Sequence, residues 1–195
     1  KLRMGPMCDF NNGAYHLSGS PTTTLYFRQD QLWCPRLFAD PDFLMEYIDR
    51  WFEMRRGPYA TASLTGIADR LAADITQEMA TAQGVSAATW TSRLASMKNF
   101  LVQRADWIDT QYVRPPTLSP AGGVHAGGVS VALADPGSTG GTFYVTTDGS
   151  DPRAPGGAVH GTAQSGPLAL GASTAVKARV RTPAGTWSAL AAGTY

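Results

Sequence analysis

A sharp change in residue composition at Arg114-Pro115-Pro116 constrains the fold of this chain more than any other feature of its sequence. Most charged and aromatic residues precede this break, whereas Gly, Ala, Ser, Thr and Pro dominate after it. A residue before proline resists the helical conformation, and consecutive prolines favour an extended backbone. The sequence therefore predicts two domains, residues 1–114 and 115–195.

The first segment is predicted to be mainly helical. A helix is expected over residues 40–57, with Asp40 as its N-cap, Pro41 in its first turn and Gly57-Pro58 at its end. Further helices are expected over 63–83 and 86–112, on either side of Gly84. The apolar stripe of the 63–83 helix comprises Leu64, Ile67, Leu71, Ile75 and Met79. Such helices should pack on one another or on a neighbour. Before them, a short strand over 2–7 and a helical turn near Leu32 are expected.

The second segment alternates apolar and polar residues with a period of two. The apolar positions are Val129, Val131, Leu133, Phe143, Val145, Val176, Ala178 and Val180. Turn-forming clusters at 135–137, 148–152 and 183–185 separate these runs. The pattern predicts an antiparallel β-sandwich. Its polar outer face would carry Lys177, Arg179 and Arg181.

Charge and cysteine content exclude several classes of protein. The net charge of +1 argues against capture of nucleic acid or an anionic membrane surface. No apolar run is long enough to span a bilayer. Two cysteines, Cys8 and Cys34, exclude a disulfide-rich scaffold and a four-thiolate zinc site. They are interpreted either as thiols or as one disulfide.

Other polar residues allow both a structural and a functional interpretation. Asp148 and Asp151 suit tight turns, with calcium binding as the alternative. Tyr144 and Trp187 suit a core, with sugar stacking as the alternative. The three histidines do not form a zinc-binding motif. No G-x-S-x-G motif occurs, although a Ser-His-Asp triad assembled by the fold stays open.

The second segment resembles a known accessory module. Residues 143–153 read FYVTTDGSDPR, and they are followed by GPL at 166–168, VKARV at 176–180, Trp187-Ser188 and Tyr195. This order is similar to the chitobiase/β-hexosaminidase C-terminal module, a fibronectin type III-like sandwich of secreted bacterial proteins. The resemblance covers residues 118–195.

The first segment resembles the C-terminal part of the CotH family, the spore-coat-protein-H-like atypical kinases. Residues 4–11 read MGPMCDFN, residues 37–43 read LFADPDF and residues 47–57 read YIDRWFEMRRG. The last helix, with Lys98, Arg104 and Trp107, is also similar to that family. The implied fold class is α+β multidomain: an α-helical remnant of a kinase-like C-lobe followed by an antiparallel immunoglobulin/fibronectin-like β-sandwich.

The CotH resemblance implies a nucleotide site around the first ten residues. Asp9 matches the aspartate that holds a divalent metal, and Asn11 stands where a second, cofactor-binding acid is often found. ATP with Mg²⁺ or Mn²⁺ is the expected cofactor of the parent protein. Cys8 departs from the family, which usually has tryptophan there.

These resemblances imply a fragment of a secreted or cell-surface bacterial protein. Its parent is expected to transfer phosphate from ATP to a protein substrate, while this chain alone is inactive. An alternative is a non-catalytic surface or adhesion protein with a degenerate kinase-like part and a spacer or glycan-facing sandwich. A third possibility, polysaccharide breakdown, needs paired carboxylates that the sequence does not assign. Neither a nucleic-acid partner nor a membrane span is expected.

Overall fold

The computed structural model of the chain describes residues 34–75 and 77–195. These residues form an α+β fold with two antiparallel sheets. They divide into two compact units. The helical unit comprises described residues 55–75 and 77–108, and the two-sheet unit comprises described residues 34–54 and 109–195. Asp9, Asn11, Cys8, the expected strand at 2–7 and Leu32 lie outside the described residues.

The described helices are α1 (Cys34–Phe38), α2 (Pro41–Arg55), α3 (Thr61–Asp74), α4 (Gln77–Ala82) and α5 (Ala87–Thr110). The helices expected over 40–57 and 86–112 are confirmed as α2 and α5. The single helix expected over 63–83 is wrong, because α3 ends at Asp74. Ile75 leaves the helical conformation there, with φ −95° and ψ 88°. A β-branched residue has a weak helix preference and suits such an exit.

Local capping interactions fix two of the helix ends. The Asp40 carboxylate accepts the backbone N–H of Asp42 at 2.8 Å, which confirms it as the N-cap of α2. Gly84 has a φ of 77° and follows α4. The Val85 N–H donates to the Ala80 carbonyl, and the Gly84 N–H donates to the Thr81 carbonyl, both at 2.9 Å. This pair of bonds is the Schellman arrangement, which needs glycine at the left-handed position.

The helical unit leaves one apolar stripe in contact with solvent. Ala68, Ala105 and Ile108 are buried in this unit, and Lys98 pairs with Asp69 at 2.7 Å. In contrast, Leu71 is 54% exposed. The other exposed apolar residues of the stripe are Ile67, Ile75 and Met79. The described helices therefore do not bury the stripe that the sequence predicts on 63–83.

Seven strands form the two sheets of the described chain. They are β1 (Thr117–Ser119), β2 (Val129–Ala134), β3 (Thr142–Thr146), β4 (Thr162–Gln164), β5 (Leu168–Leu170), β6 (Ala175–Arg181) and β7 (Ala191–Thr194). One sheet has the order β1-β2-β5 and the other the order β4-β3-β6-β7. All pairings are antiparallel, with Val145 opposite Ala178 and Val131 opposite Leu168.

The core of the two-sheet unit contains the predicted apolar positions. Val131 and Leu170 of the first sheet form one buried cluster with Val145, Val176 and Ala178 of the second. The alternating pattern in the sequence therefore identified the inward face of these strands. Cys34, which precedes this core in the chain, carries a free, half-buried thiol.

The expected polar outer face of β6 requires a correction. Lys177 and Arg181 are half-buried, and Arg179 is only 1% exposed. Helix α2 packs on this face of the four-stranded sheet and supplies one carboxylate partner of the Arg179 side chain, Asp49. In the two-sheet unit α2 therefore lies against a face that the sequence assigned to solvent.

Candidate functional site

Arg179 lies in the middle of β6, which is an inner strand of its sheet. Its neighbours in sequence, Ala178 and Val180, are fully buried on the other side of the strand. An arginine in this position keeps its charge at every accessible pH, so it must be neutralised locally. We refer to Arg179, Asp49 and Asp151 together as the Arg179 centre.

All five N–H groups of the Arg179 guanidinium have an oxygen acceptor. Nε donates to Asp151 Oδ1 at 2.6 Å, and Nη2 donates to Asp151 Oδ2 at 2.6 Å. Nη2 also donates to Asp49 Oδ2 at 2.6 Å, and Nη1 donates to Asp49 Oδ1 at 2.9 Å. The carbonyl of Ser188 accepts the remaining bond from Nη1 at 2.8 Å. Two carboxylates thus bind one guanidinium in a bidentate manner, which is the strongest geometry for this pair.

The electrostatics of the centre keep it ionised. Burial favours the protonated form of Asp151, but hydrogen bonds from Arg179 and from the Arg153 N–H outweigh burial and lower its pKa. Burial likewise disfavours the charged form of Arg179, and the bonds to Asp151 and Asp49 outweigh it and raise its pKa above the ordinary value. Asp151 therefore acts as a fixed anion beside a fixed cation.

A second ion pair joins the beginning of α2 to the loop after β3. Arg153 Nη1 lies 2.6 Å from Asp42 Oδ1, and the Arg153 side chain is 8% exposed. The Gly156 N–H donates to both oxygens of Asp42, at 3.0 and 2.9 Å. The bond from Gly156, together with Arg153, lowers the pKa of Asp42. Both acidic residues of α2 that face the sheet are therefore paired with buried arginines.

Apolar residues pack beside the Arg179 centre, where the guanidinium is buried and the Asp49 and Asp151 side chains stay 26% and 36% exposed. Ile48 and Phe52 of α2 form a buried cluster with Ala189. The Leu190 N–H donates to Asp49 Oδ1 at 2.8 Å, and Trp51 Nε1 donates to Asp109 Oδ1 at 2.8 Å. Helix α2 is thus an integral part of the two-sheet unit, held by charge, hydrogen bonds and packing.

The turn aspartates have structural partners rather than the geometry of a calcium site. Both oxygens of Asp151 are bound by Arg179, a cation that competes with any metal ion. Asp148 Oδ1 accepts the backbone N–H of Ser150 at 2.9 Å and its hydroxyl at 2.5 Å. Residues 34–75 and 77–195 contain no group of three side chains that could hold a metal ion. The turn interpretation is confirmed for both residues.

The aromatic pair proposed as a sugar platform is part of the packing. Trp187 is 6% exposed, and its Nε1 donates to the Gly157 carbonyl at 2.9 Å. Its ring contacts Tyr144 edge to face, with a centroid distance of 5.4 Å. Arg181 lies over the other side, 5.6 Å from the Trp187 ring centre. A buried indole with a satisfied N–H offers no open face for stacking.

An open groove with a volume of about 440 Å³ lies at one edge of the two-sheet unit. Its lining includes Thr147, Asp148, His160, Thr162, Gln164 and Leu168. Leu168 begins β5, the edge strand of the first sheet, while Thr162 and Gln164 belong to β4, the edge strand of the second. The groove therefore opens between two sheet edges and has a mixed polar and apolar lining.

Serine, histidine and aspartate meet beside this groove, but not as a catalytic triad. The Ser150 hydroxyl donates to Asp148, because an ionised carboxylate only accepts. His160 Nδ1 lies 3.0 Å from the Asp151 carbonyl and 3.4 Å from Ser150 Oγ. In a triad the histidine accepts the serine proton and the carboxylate orients the histidine. Here the serine proton is bound by the carboxylate, so the arrangement does not activate Ser150.

The sequence contains one signal of the Arg179 centre that is separate from the apolar periodicity. Asp42 and Asp49 are seven residues apart, which places them two turns apart on one face of α2. That face also carries Met45 and Phe52, and Asp49 adjoins the buried Ile48. Acidic residues within an apolar face indicate a buried cationic partner, because isolated buried charges are costly.

Comparison with protein-family models, with curated proteins and with solved structures finds no match. Asp9 and Asn11, the expected metal and cofactor residues, lie outside the described part of the chain. Within the described part, no helix has the length and apolar character that crossing a membrane requires.

Proposed function

We propose that this chain is the supporting C-terminal part of a secreted, bacterial, CotH-like phosphotransfer protein. In this proposal the two-sheet unit is a fibronectin-like sandwich that holds helix α2 in a fixed position. The Arg179 centre is the observation that carries the proposal. It binds the segment with the CotH resemblance, residues 37–57, to the segment with the chitobiase-module resemblance.

A fixed α2 suits a supporting role for physical reasons. Asp42 and Asp49 anchor the helix at two points, two turns apart, to Arg153 and Arg179. Two anchors remove the freedom to rotate about a single contact, and bidentate bonds set the angle of the helix as well as its position. A catalytic lobe built around such a helix would be preorganised, so that substrate binding would not have to order it.

The nucleotide chemistry in this proposal belongs to Asp9 and Asn11. Asp9 would hold Mg²⁺ or Mn²⁺, and Asn11 would add a neutral oxygen ligand. The γ-phosphoryl group for transfer to a protein substrate would come from ATP, and the metal would neutralise the charge on its phosphates. A kinase also needs a lysine on a strand and a catalytic aspartate ahead of the metal-binding one. The eight residues before Asp9 contain no aspartate.

The 195-residue chain by itself is therefore expected to transfer no phosphate. The measurement is incubation of the purified chain with labelled ATP, Mg²⁺ or Mn²⁺ and a general protein substrate. Labelling of the substrate by this chain, lost in Asp9→Ala, would contradict the prediction.

The natural protein that contains this sequence provides the test of the proposed function. Calorimetric titration with ATP and Mg²⁺ or Mn²⁺ should show binding that Asp9→Ala abolishes. Asp135→Ala serves as the matched control, since Asp135 caps a turn in the two-sheet unit and lies far from residue 9 in sequence. Absence of ATP binding in the natural protein would remove the phosphotransfer proposal.

A second candidate function is a non-catalytic surface or adhesion protein, and the open groove favours it. The groove is accessible, and its lining comes from residues 145–148, 160–162, 164 and 168 of the two-sheet unit. In this alternative the sandwich faces a glycan or another surface partner, and Asp9 and Asn11 are remnants. Binding at the groove in a protein that does not bind ATP would support it over phosphotransfer.

A further inference from the structure

The groove lies at the side of the two-sheet unit that is formed by the edge strands β4 and β5. On the opposite side, strands β1 and β7 contact each other and bring the two sheets together. On the groove side, β5 and β4 are the edge strands, and each pairs with only one neighbour. Strand β4 has three residues, which is too short to template a long added strand. A small ligand fits this position better than an extended peptide strand.

The hydrogen bonds of His160 determine which of its nitrogens faces a ligand. The Asp151 carbonyl can only accept, so the 3.0 Å contact requires a proton on Nδ1. In the neutral ring Nε2 then carries a lone pair. Both protein contacts of His160 involve Nδ1. Nε2 is therefore the nitrogen of this groove-lining histidine that is left to accept a hydrogen bond from a ligand.

Asp148 provides a second acceptor and a negative charge. Ser150 donates its N–H and its hydroxyl to Oδ1 of Asp148, so these bonds leave the acceptor sites of Oδ2 to a ligand. Asp148 and His160 both line the groove, and Ser150 contacts both. The threonines at 147 and 162 add two hydroxyl groups to the same lining. The groove is thus rich in acceptors and carries one fixed anion.

We propose that this groove binds the primary ammonium group of a small ligand or side chain. An ammonium group carries three donors and a positive charge, which match the Asp148 carboxylate, the His160 Nε2 lone pair and the threonine hydroxyls. A phosphate or carboxylate group would be repelled by Asp148. The two sources of a primary ammonium that fit a surface groove are an amino sugar and a lysine side chain. This inference does not depend on phosphotransfer.

The test is an NMR titration of the full 195-residue chain. The amides of His160, Gly161 and Thr162 report on the groove. Glucosamine and Nα-acetyl-lysine amide are the probes, and their N-acetylated counterparts are the matched neutral controls. The free amines are expected to shift these amides, and the acetylated forms are not. Shifts with glucosamine alone identify a saccharide source, and shifts with the lysine probe alone identify a polypeptide source.

Two variants separate the groove from general effects of charge. Asp148→Asn keeps the acceptor for Ser150 and removes the negative charge, so it should weaken binding about threefold to fivefold. Asp135→Asn changes an equivalent turn aspartate outside the groove and should leave binding unchanged. Equal shifts with acetylated probes, binding that Asp148→Asn does not weaken, or no shift with either amine would overturn the proposal.

Discussion

Replacing Arg179 by methionine is expected to destabilise the protein by about 3–5 kcal/mol at pH 7. The variant leaves Asp49 and Asp151 facing each other without the cation that binds both of them. It also removes most of the donors that bind their oxygens, and leaves Asp49 with the Leu190 N–H and Asp151 with the Arg153 N–H. Because methionine fills much of the arginine volume, the loss of unfolding free energy comes from the unpaired carboxylates more than from a cavity. Chemical denaturation of both proteins, followed by tryptophan fluorescence, measures this difference in unfolding free energy.

The loss in Arg179→Met should shrink as the pH falls. In the unmutated chain the folded-state pKa of Asp151 is lowered. Its contribution to the free energy of unfolding is therefore fully present above the unfolded pKa of about 3.9, and it is lost as the pH falls through the folded-state pKa. In the variant Asp151 lacks the cation that lowers its pKa, so protonation of Asp151 costs less folding free energy there. The two stability curves should therefore approach each other as the pH falls from about 5 through the folded-state pKa of Asp151.

Arg181→Met is the matched control for this prediction. Arg181 lies on the same strand, two residues later and on the same face, but it is half-buried and stacks on Trp187. Its replacement should cost about 1 kcal/mol or less, with little change between pH 7 and pH 4. Equal losses in the two variants would show that Arg179 has no special role.

Removing helix α2 is expected to prevent stable folding of the two-sheet unit. A fragment of residues 109–195 loses Asp49 and Asp42, so Arg179 keeps one carboxylate and Arg153 loses its partner. It also exposes the apolar surface that Ile48 and Phe52 cover. The fragment should show no cooperative thermal transition and a poorly dispersed NMR spectrum.

A synthetic peptide covering residues 34–56 should restore the fold of that fragment. The matched peptide with Asp49→Ala should restore it much less, because it fills the same surface and lacks the partner of Arg179. A fragment that folds cooperatively without the peptide would contradict the account, and so would equal rescue by both peptides.

The sequence predicted the local elements well because their signals are local. The Asp40 cap and the spacing of Ile48 and Phe52 define α2 within a stretch of fewer than twenty residues. The alternation of Val176, Ala178 and Val180 defines the inward face of β6. The wrong prediction of a single helix over 63–83 also has a local cause. The helix α3 ends before Ile75, a β-branched residue, although the apolar stripe continues in the sequence.

The environment of Arg179 could not be predicted in the same way. A period of two shows which residues share a face, but not what covers that face. The covering helix lies 130 residues earlier in the chain. The sequence indicated a buried cation only through Asp42 and Asp49, two acidic residues on an apolar helix face. Their spacing does not identify Arg179 as the partner.

The two candidate sites differ in what supports them. Asp9 and Asn11 rest on resemblance, lie outside the described residues and stay predictions. The groove rests on tertiary geometry, since His160 and Asp148 are twelve residues apart and meet only because β3 pairs with β4. No motif in the sequence joins them, which is why the sequence assigned Asp148 a turn and His160 no role.

The most direct test of the central claim, that α2 is bound to β6 through Arg179, is the effect of Asp49→Asn on unfolding free energy in two backgrounds. In the unmutated background Asp49→Asn should lower the free energy of unfolding, because it removes one anion from Arg179. In Arg179→Met it should stabilise, because it removes repulsion from Asp151. Glu53→Gln, on an exposed part of the same helix, should have the same small effect in both backgrounds. An equal effect of Asp49→Asn in both backgrounds would contradict the account.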